Sequence, residues 1–129
     1  MSISLLVGTR LPAYCTAMGQ VLLAHLPAAQ LEEYLGRVRL VERTSRTVTS
    51  VPKLRKALAK VHEAGYALLD QELEVGLRSI AVPVRDGRGT VVAAINIGTH
   101  ASRVSLEDVQ SRFLPLLRKC SLGLSALLL

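Results

Sequence analysis

SIAVPVRDGRGTVVAAINIGT, residues 79–99, is the stretch that decides the fold. Two runs rich in β-branched residues, 79–85 and 90–99, flank Asp86-Gly87-Arg88-Gly89. Aspartate and glycine between two such runs signal a hairpin, because they tolerate the backbone angles of a tight turn. The second half of the chain is therefore predicted to hold an antiparallel pair.

Upstream the period is helical. Residues 16–26 place Met18, Val21, Leu22 and Leu26 at helical spacing. Pro27 breaks that helix and opens a second, with Leu31, Tyr34, Leu35 and Val38 inward and Glu32 and Glu33 outside. Residues 39–50 are polar and read as a loop. Ser50 caps a third helix whose apolar stripe is Val51, Leu54, Leu58 and Val61, and Gly65 ends it. Residues 66–69 form a short strand, and residues 3–7 another that Gly8 ends. Ser105-Leu-Glu-Asp108 resembles a capping box. The final helix it opens points Leu106, Val109, Phe113, Leu116, Leu117, Cys120 and Leu124 inward, with a kink or break at Pro115.

The order is strand, three helices, strand, hairpin, helix. That is one α+β domain, with helices on an antiparallel sheet. Four strands make a thin sheet for this much apolar sequence, so the chain reads as beginning partway into a larger domain.

Composition narrows the function. Of 129 residues half are hydrophobic and a fifth charged, which suits one globular core. Aromatics make up only 3%, too few for a base-stacking platform. The net charge of +6 comes from basic residues mixed with acids, in no helix-turn-helix, zinc-finger or basic-zipper pattern. Cys15 and Cys120 lie far apart and in no metal spacing, and read as buried free thiols, with one disulfide as the alternative. No signal peptide or spanning segment is evident, which points to a cytoplasmic protein without a membrane partner. No catalytic motif occurs, no base is evident beside Cys15, and no cofactor is implied.

Three places can carry chemistry. The junction Cys15-Thr-Ala-Met-Gly19 puts small residues at a helix start, where free amides suit a carboxylate or phosphate. The alternative is a plain cap, with Gly19 allowing close packing. Asp70, Glu72 and Glu74 share one face if extended, and could bind a metal, shift a pKa or receive a phenol hydroxyl. Otherwise they form a solvated loop near Arg78. Ser79 and Asn96 lie in the hairpin strands, and Asn in so apolar a run points into a pocket unless it faces solvent or bonds backbone. Arg10 and Arg78 could hold a ligand carboxylate or internal acids, and His25, His62 and His100 read as isolated bystanders.

GTRLPAYCTAMGQVLLA (8–24), GYALLDQELEVGLRSIAVPV (65–84) and VVAAINI (91–97), in that order, resemble the effector-binding domain of IclR-type transcriptional regulators. The first motif looks most like the branch that senses protocatechuate, p-hydroxybenzoate or β-ketoadipate pathway acids. The resemblance implies a GAF-like sheet flanked by helices, N-terminally shortened here. It implies a sensor, not an enzyme, for a small carboxylate effector. It further implies a homodimer or homotetramer, and DNA contact only through a winged helix-turn-helix outside this chain. Ligand contacts carried over are the amides of Thr16, Ala17, Met18 and Gly19 and the side of the pocket at Asp70 or Glu72, Leu77, Ser79, Ile80, Asn96 and Gly98. The competing reading is an oligomerisation module with a vestigial pocket.

Overall fold

The hairpin forms where the turn residues place it. A computed structural model, which describes residues 10–128, pairs β2 (Leu77–Arg85) with β3 (Val91–His100) and, on its other side, with β1 (Ala67–Asp70). Both pairings are antiparallel, with Ala67 opposite Ala81, Asp70 opposite Arg78, Ser79 opposite Gly98 and Ala81 opposite Asn96. The Asp86 carboxylate accepts from the amides of Arg88 (2.9 Å) and Thr90 (3.1 Å), and Gly89 takes a φ of 82° that a larger residue resists. The strand expected at 3–7 lies outside the described residues.

Two of the three helices before the sheet start at a side-chain cap. Thr16 accepts from the Gly19 amide at α1 (Ala17–Ala24), and Ser50 from the Lys53 amide at α3 (Val51–Ala64). Between them, α2 (Ala28–Arg37) follows Pro27. A cap of this kind is worth about 0.5–2 kcal/mol. Gly65 closes α3 in the left-handed region, with φ 78°.

The two faces of β2 bury different helices, as a period of two requires. Ala81, with Ala67 and Leu69 of β1, packs on Ala17 and Val21 of α1 and Val61 of α3. Ile80 and Val82 pack on Val109, Leu114 and Leu117 near the C-terminus. A third cluster, Tyr14, Cys15, Leu23, Leu35, Leu54 and Leu58, joins α1 to α2 and α3. Each fully buried Leu, Ile or Val contributes roughly 1.5–3 kcal/mol.

The C-terminal helix departs from expectation. Ser105 caps a single turn, α4 (Leu106–Asp108), by accepting from the Asp108 amide at 3.1 Å. A π-helical stretch, Val109–Phe113, follows, and then α5 (Leu114–Ser125). A π turn inserts one residue and so advances the inward face by one position. The buried positions become Leu114 and Leu117, while Ser121 and Ser125 donate to the carbonyls of Pro83 (2.6 Å) and Arg85 (2.5 Å). The expected inward residues Leu116, Cys120 and Leu124 are exposed for that reason, and Leu106, ahead of the π stretch, is exposed as well. Pro115 sits in the first turn of α5, where its missing amide costs nothing.

Other expectations also shift. Leu22 is exposed, and the buried face of α1 runs through Gln20, Val21 and Leu23. Gln20 is tolerated there because its side-chain amide donates to the Tyr14 carbonyl at 2.8 Å. The rings of His25 and His62 lie 5.1 Å apart, so these two are not isolated. Among the described residues, no helix is long and apolar enough to cross a membrane.

Candidate ligand-binding site

The stretch before α1 folds back as a tight turn, Ala13–Cys15. Gly19 is required for that return, since a Cβ on it would lie 2.3 Å from the Ala13 carbonyl oxygen. Thr16 fixes the junction twice, donating to the Pro12 carbonyl (3.0 Å) and accepting from the Gly19 amide (3.2 Å). The Gln20 amide donates to the Thr16 carbonyl at 2.9 Å. The amides of Ala17 and Met18, the first two of α1, have no acceptor one turn back. Both residues line a cavity of about 340 Å³, within the usual range for small-molecule sites.

Three parts of the fold line that cavity. The turn and helix start contribute Leu11, Cys15, Thr16, Ala17 and Met18. The end of β1 and the loop after it contribute Leu69, Glu72 and Leu73. The sheet contributes Leu77 and Ser79 from β2, and Asn96 and Gly98 from β3. Ser79 and Gly98 are paired across the strands, and a Cβ on Gly98 would meet Leu77 at 3.6 Å, an ordinary contact. The wall is therefore mainly apolar, with Thr16, Ser79, Asn96 and Glu72 converging as polar groups. Among the described residues, no basic side chain lines it.

The loop between β1 and β2 aims Glu72. Asp70 ends β1, and Gln71 turns the chain with a φ of 61°. The Gln71 side chain accepts from the Gly76 amide at 2.9 Å. Thr44 and Thr47 donate to the carbonyls of Gln71 and Glu72, both at 2.6 Å. The expected shared face of Asp70, Glu72 and Glu74 does not form, because the strand stops at Asp70. Asp70 turns to Arg78, whose Nε donates to it at 2.8 Å, and to Arg46.

These surroundings set opposite charge preferences. Burial acts to raise the Asp70 pKa, but hydrogen bonds from Arg78 and Gln71 and the charges of Arg78 and Arg46 outweigh it and hold the carboxyl low. Burial, and then the Asp70 charge, push Glu72 up to about 7. The buried Glu72 Oε1 has no hydrogen-bond partner among the described residues. Burial likewise pushes the Cys15 thiol up to about 11, with Glu72 adding to the rise and Arg43 opposing it. A thiol held that high is a wall group and a poor nucleophile.

Of the expected contacts, Thr16, Ala17, Met18, Glu72, Leu77, Ser79, Asn96 and Gly98 come together here. Gly19 packs behind the junction, Asp70 faces its arginines, and Ile80 points to the opposite face of β2. Leu69, Leu73, Thr44 and Thr47 carried no sequence signal, being apolar residues in an apolar run and threonines in a polar loop. Among the described residues, no three His, Cys, Asp or Glu side chains converge for a metal.

Known proteins share this architecture. The family model "Bacterial transcriptional regulator IclR C-terminal" matches residues 1–126. The chain is similar to the Pca regulon regulatory protein of Pseudomonas putida, at 50% identity over 94% of this chain and 42% of that protein. It thus spans less than half the length of that relative. A transcriptional regulator structure from Rhodococcus sp. RHA1 superposes with a TM-score of 0.93, at 46% identity, over 98% of this chain and 51% of that one. A double mutant of the Acinetobacter PobR inducer-binding domain, in complex with 3-hydroxybenzoic acid, gives 0.88 at 34% identity, over 92% and 69%.

Proposed function

The chain belongs to the IclR family of bacterial transcriptional regulators, whose C-terminal effector-binding domain it carries, and we propose that it senses a small aromatic carboxylate of the protocatechuate or hydroxybenzoate type. This is a family of regulators, not of enzymes. The observation that carries the reading is the 340 Å³ cavity at the N-terminus of α1, lined mainly by apolar side chains with Thr16, Glu72, Ser79 and Asn96 among them. In the proposal, the ligand carboxylate meets the Ala17 and Met18 amides, where the helix dipole favours negative charge. The ring lies between Leu11, Leu69 and Leu77, and Ser79, Asn96 and Glu72 face its substituents. Gly98 leaves the room for it. The related complex with 3-hydroxybenzoic acid supports the choice of chemical class.

Binding then biases the shape of a dimer or tetramer, and a winged helix-turn-helix elsewhere in the regulator reads the bias. Thermal melts with 3-hydroxybenzoate, 4-hydroxybenzoate and protocatechuate test the first step. A ligand at a hundred times its Kd stabilises the folded state by about 2.7 kcal/mol. Gly98→Val fills the cavity with no backbone collision and should lower affinity at least tenfold while the protein stays folded. A silent panel removes the reading.

A second reading, an oligomerisation module with a vestigial cavity, is favoured by the exposed apolar face of α5, where Leu116 is 57% and Leu122 73% exposed. Self-association in light scattering together with that silent panel would support it.

A further inference from the structure

Resting on the reading of the cavity as a carboxylate site, we infer that Glu72 enters the complex as a neutral acid. Its proton is taken up from solvent and donated in a hydrogen bond to a second oxygen of the ligand. Glu72 would thus be the group that separates hydroxylated carboxylates from bare ones.

The argument is one of charge and unmet hydrogen bonding. Glu72 lines the cavity, and its buried Oε1 has no hydrogen-bond partner among the described residues. Among the described residues, no basic side chain lines the same space. An ionised Glu72 and a ligand carboxylate would be two like charges enclosed in about 340 Å³, an arrangement that drives a proton onto one of them. The ligand carboxylate has the α1 amides to hold its charge, so the proton goes to Glu72, which has none. The free protein already favours this, since burial and Asp70 push the Glu72 pKa up to about 7.

The other groups around Glu72 do not reverse the sign. Asp70 repels, and is itself held by Arg78 and Arg46. Cys15 across the cavity is neutral, with Arg43 acting on that thiol. On its other side Glu72 borders an open groove where Lys60 and Glu63 of α3 carry opposite charges, and Glu74 in the same loop adds a further negative one. A neutral Glu72 in the complex is a buried donor. A ligand without a second oxygen leaves it unpaired, at a cost in affinity on the order of tenfold or more.

Calorimetric titration with 3-hydroxybenzoate and with benzoate, in buffers of different ionisation enthalpy, counts the protons. At about pH 8 the wild-type protein should take up close to one proton with 3-hydroxybenzoate, and its Kd should rise roughly fifteenfold from about pH 7 to about pH 8.5. Glu72→Gln, which cannot titrate but can still donate, should bind 3-hydroxybenzoate with no uptake and a flat pH profile. Benzoate should bind the wild type at least about tenfold more weakly. Zero uptake in the wild type, or the same uptake in Glu72→Gln, overturns the inference, and the wild-type count stands even if the variant misfolds. If neither compound gives heat at any pH, the carboxylate reading itself fails and takes this inference with it.

Discussion

Asp70 and Glu72 are two carboxylates two residues apart, and the fold treats them in opposite ways. Asp70 closes β1 opposite Arg78 and is clamped by Arg78 and Arg46. Glu72 lies past the turn at Gln71, with a buried oxygen that meets no donor among the described residues. One is held ionised and the other pushed toward neutrality. The difference teaches that a carboxylate's role follows from what the backbone turns it toward. Asp70 fastens the loop, and the fastened loop holds Glu72 against the cavity.

Removing the clamp should have the largest effect. Arg78 also donates to the carbonyls of Ala101 (3.2 Å) and Val104 (2.8 Å), so it ties β2 to the turn before α4 as well as to Asp70. Arg78→Ala takes its donor from those two carbonyls and leaves the Asp70 carboxylate to Arg46 and Gln71 alone, which should cost about 2–3 kcal/mol. A thermal melt at neutral pH reads this, and an unchanged midpoint would break the comparison.

Glu72→Gln should act with the opposite sign. The folded-state pKa of Glu72 lies above its ordinary 4.5, so the folded protein loses stability as pH rises from there to about 7. After allowance for partial solvent screening, ionising it costs about 1–2 kcal/mol at about pH 8. The glutamine variant should melt higher than wild type at about pH 8 and level with it near pH 4. A variant less stable than wild type at both values would mean that Glu72 has a structural partner in solution.

The sequence made some of this legible and concealed the rest for physical reasons. The hairpin was readable because Asp86 and Gly89 do local chemistry that any fold would use. The caps Thr16, Ser50 and Ser105 and the stop at Gly65 were readable for the same cause. The inward face of α5 was not, because one inserted π residue rotates every later position while leaving hydropathy unchanged. Gln20 was hidden because its burial depends on a carbonyl six residues back. At the site, the helix mouth and the strand residues Ser79, Asn96 and Gly98 stood out as small or polar groups among apolar ones. The division between Asp70 and Glu72 did not, since it is decided by a positive φ at Gln71 and by Thr44 and Thr47, distant in the chain.

The two smaller predictions separate the halves of the clamp. Asp70→Asn keeps the shape and removes the charge, and should cost about 1–1.5 kcal/mol at neutral pH. Because the folded-state pKa of Asp70 lies below its ordinary 3.8, its contribution is complete above that value and fades as pH falls through the lower one. Wild type and Asp70→Asn should therefore converge in strong acid, and an acid melting series checks this.

Arg46→Ala should have the least effect. Arg46 reaches the same carboxylate as Arg78, yet its side chain is 57% exposed against 17% for Arg78. Water already solvates most of its charge, so the pair gains little over the separated ions and is screened by salt. Holding a long side chain in one geometry offsets part of what remains. The expected loss is under about 1 kcal/mol, shrinking further at high ionic strength. If Arg46→Ala instead matched Arg78→Ala, the loop would be held chiefly from the 39–50 side. Asp70 would then be fastened from outside the sheet, and the strand pairing of Asp70 with Arg78 would be secondary to it.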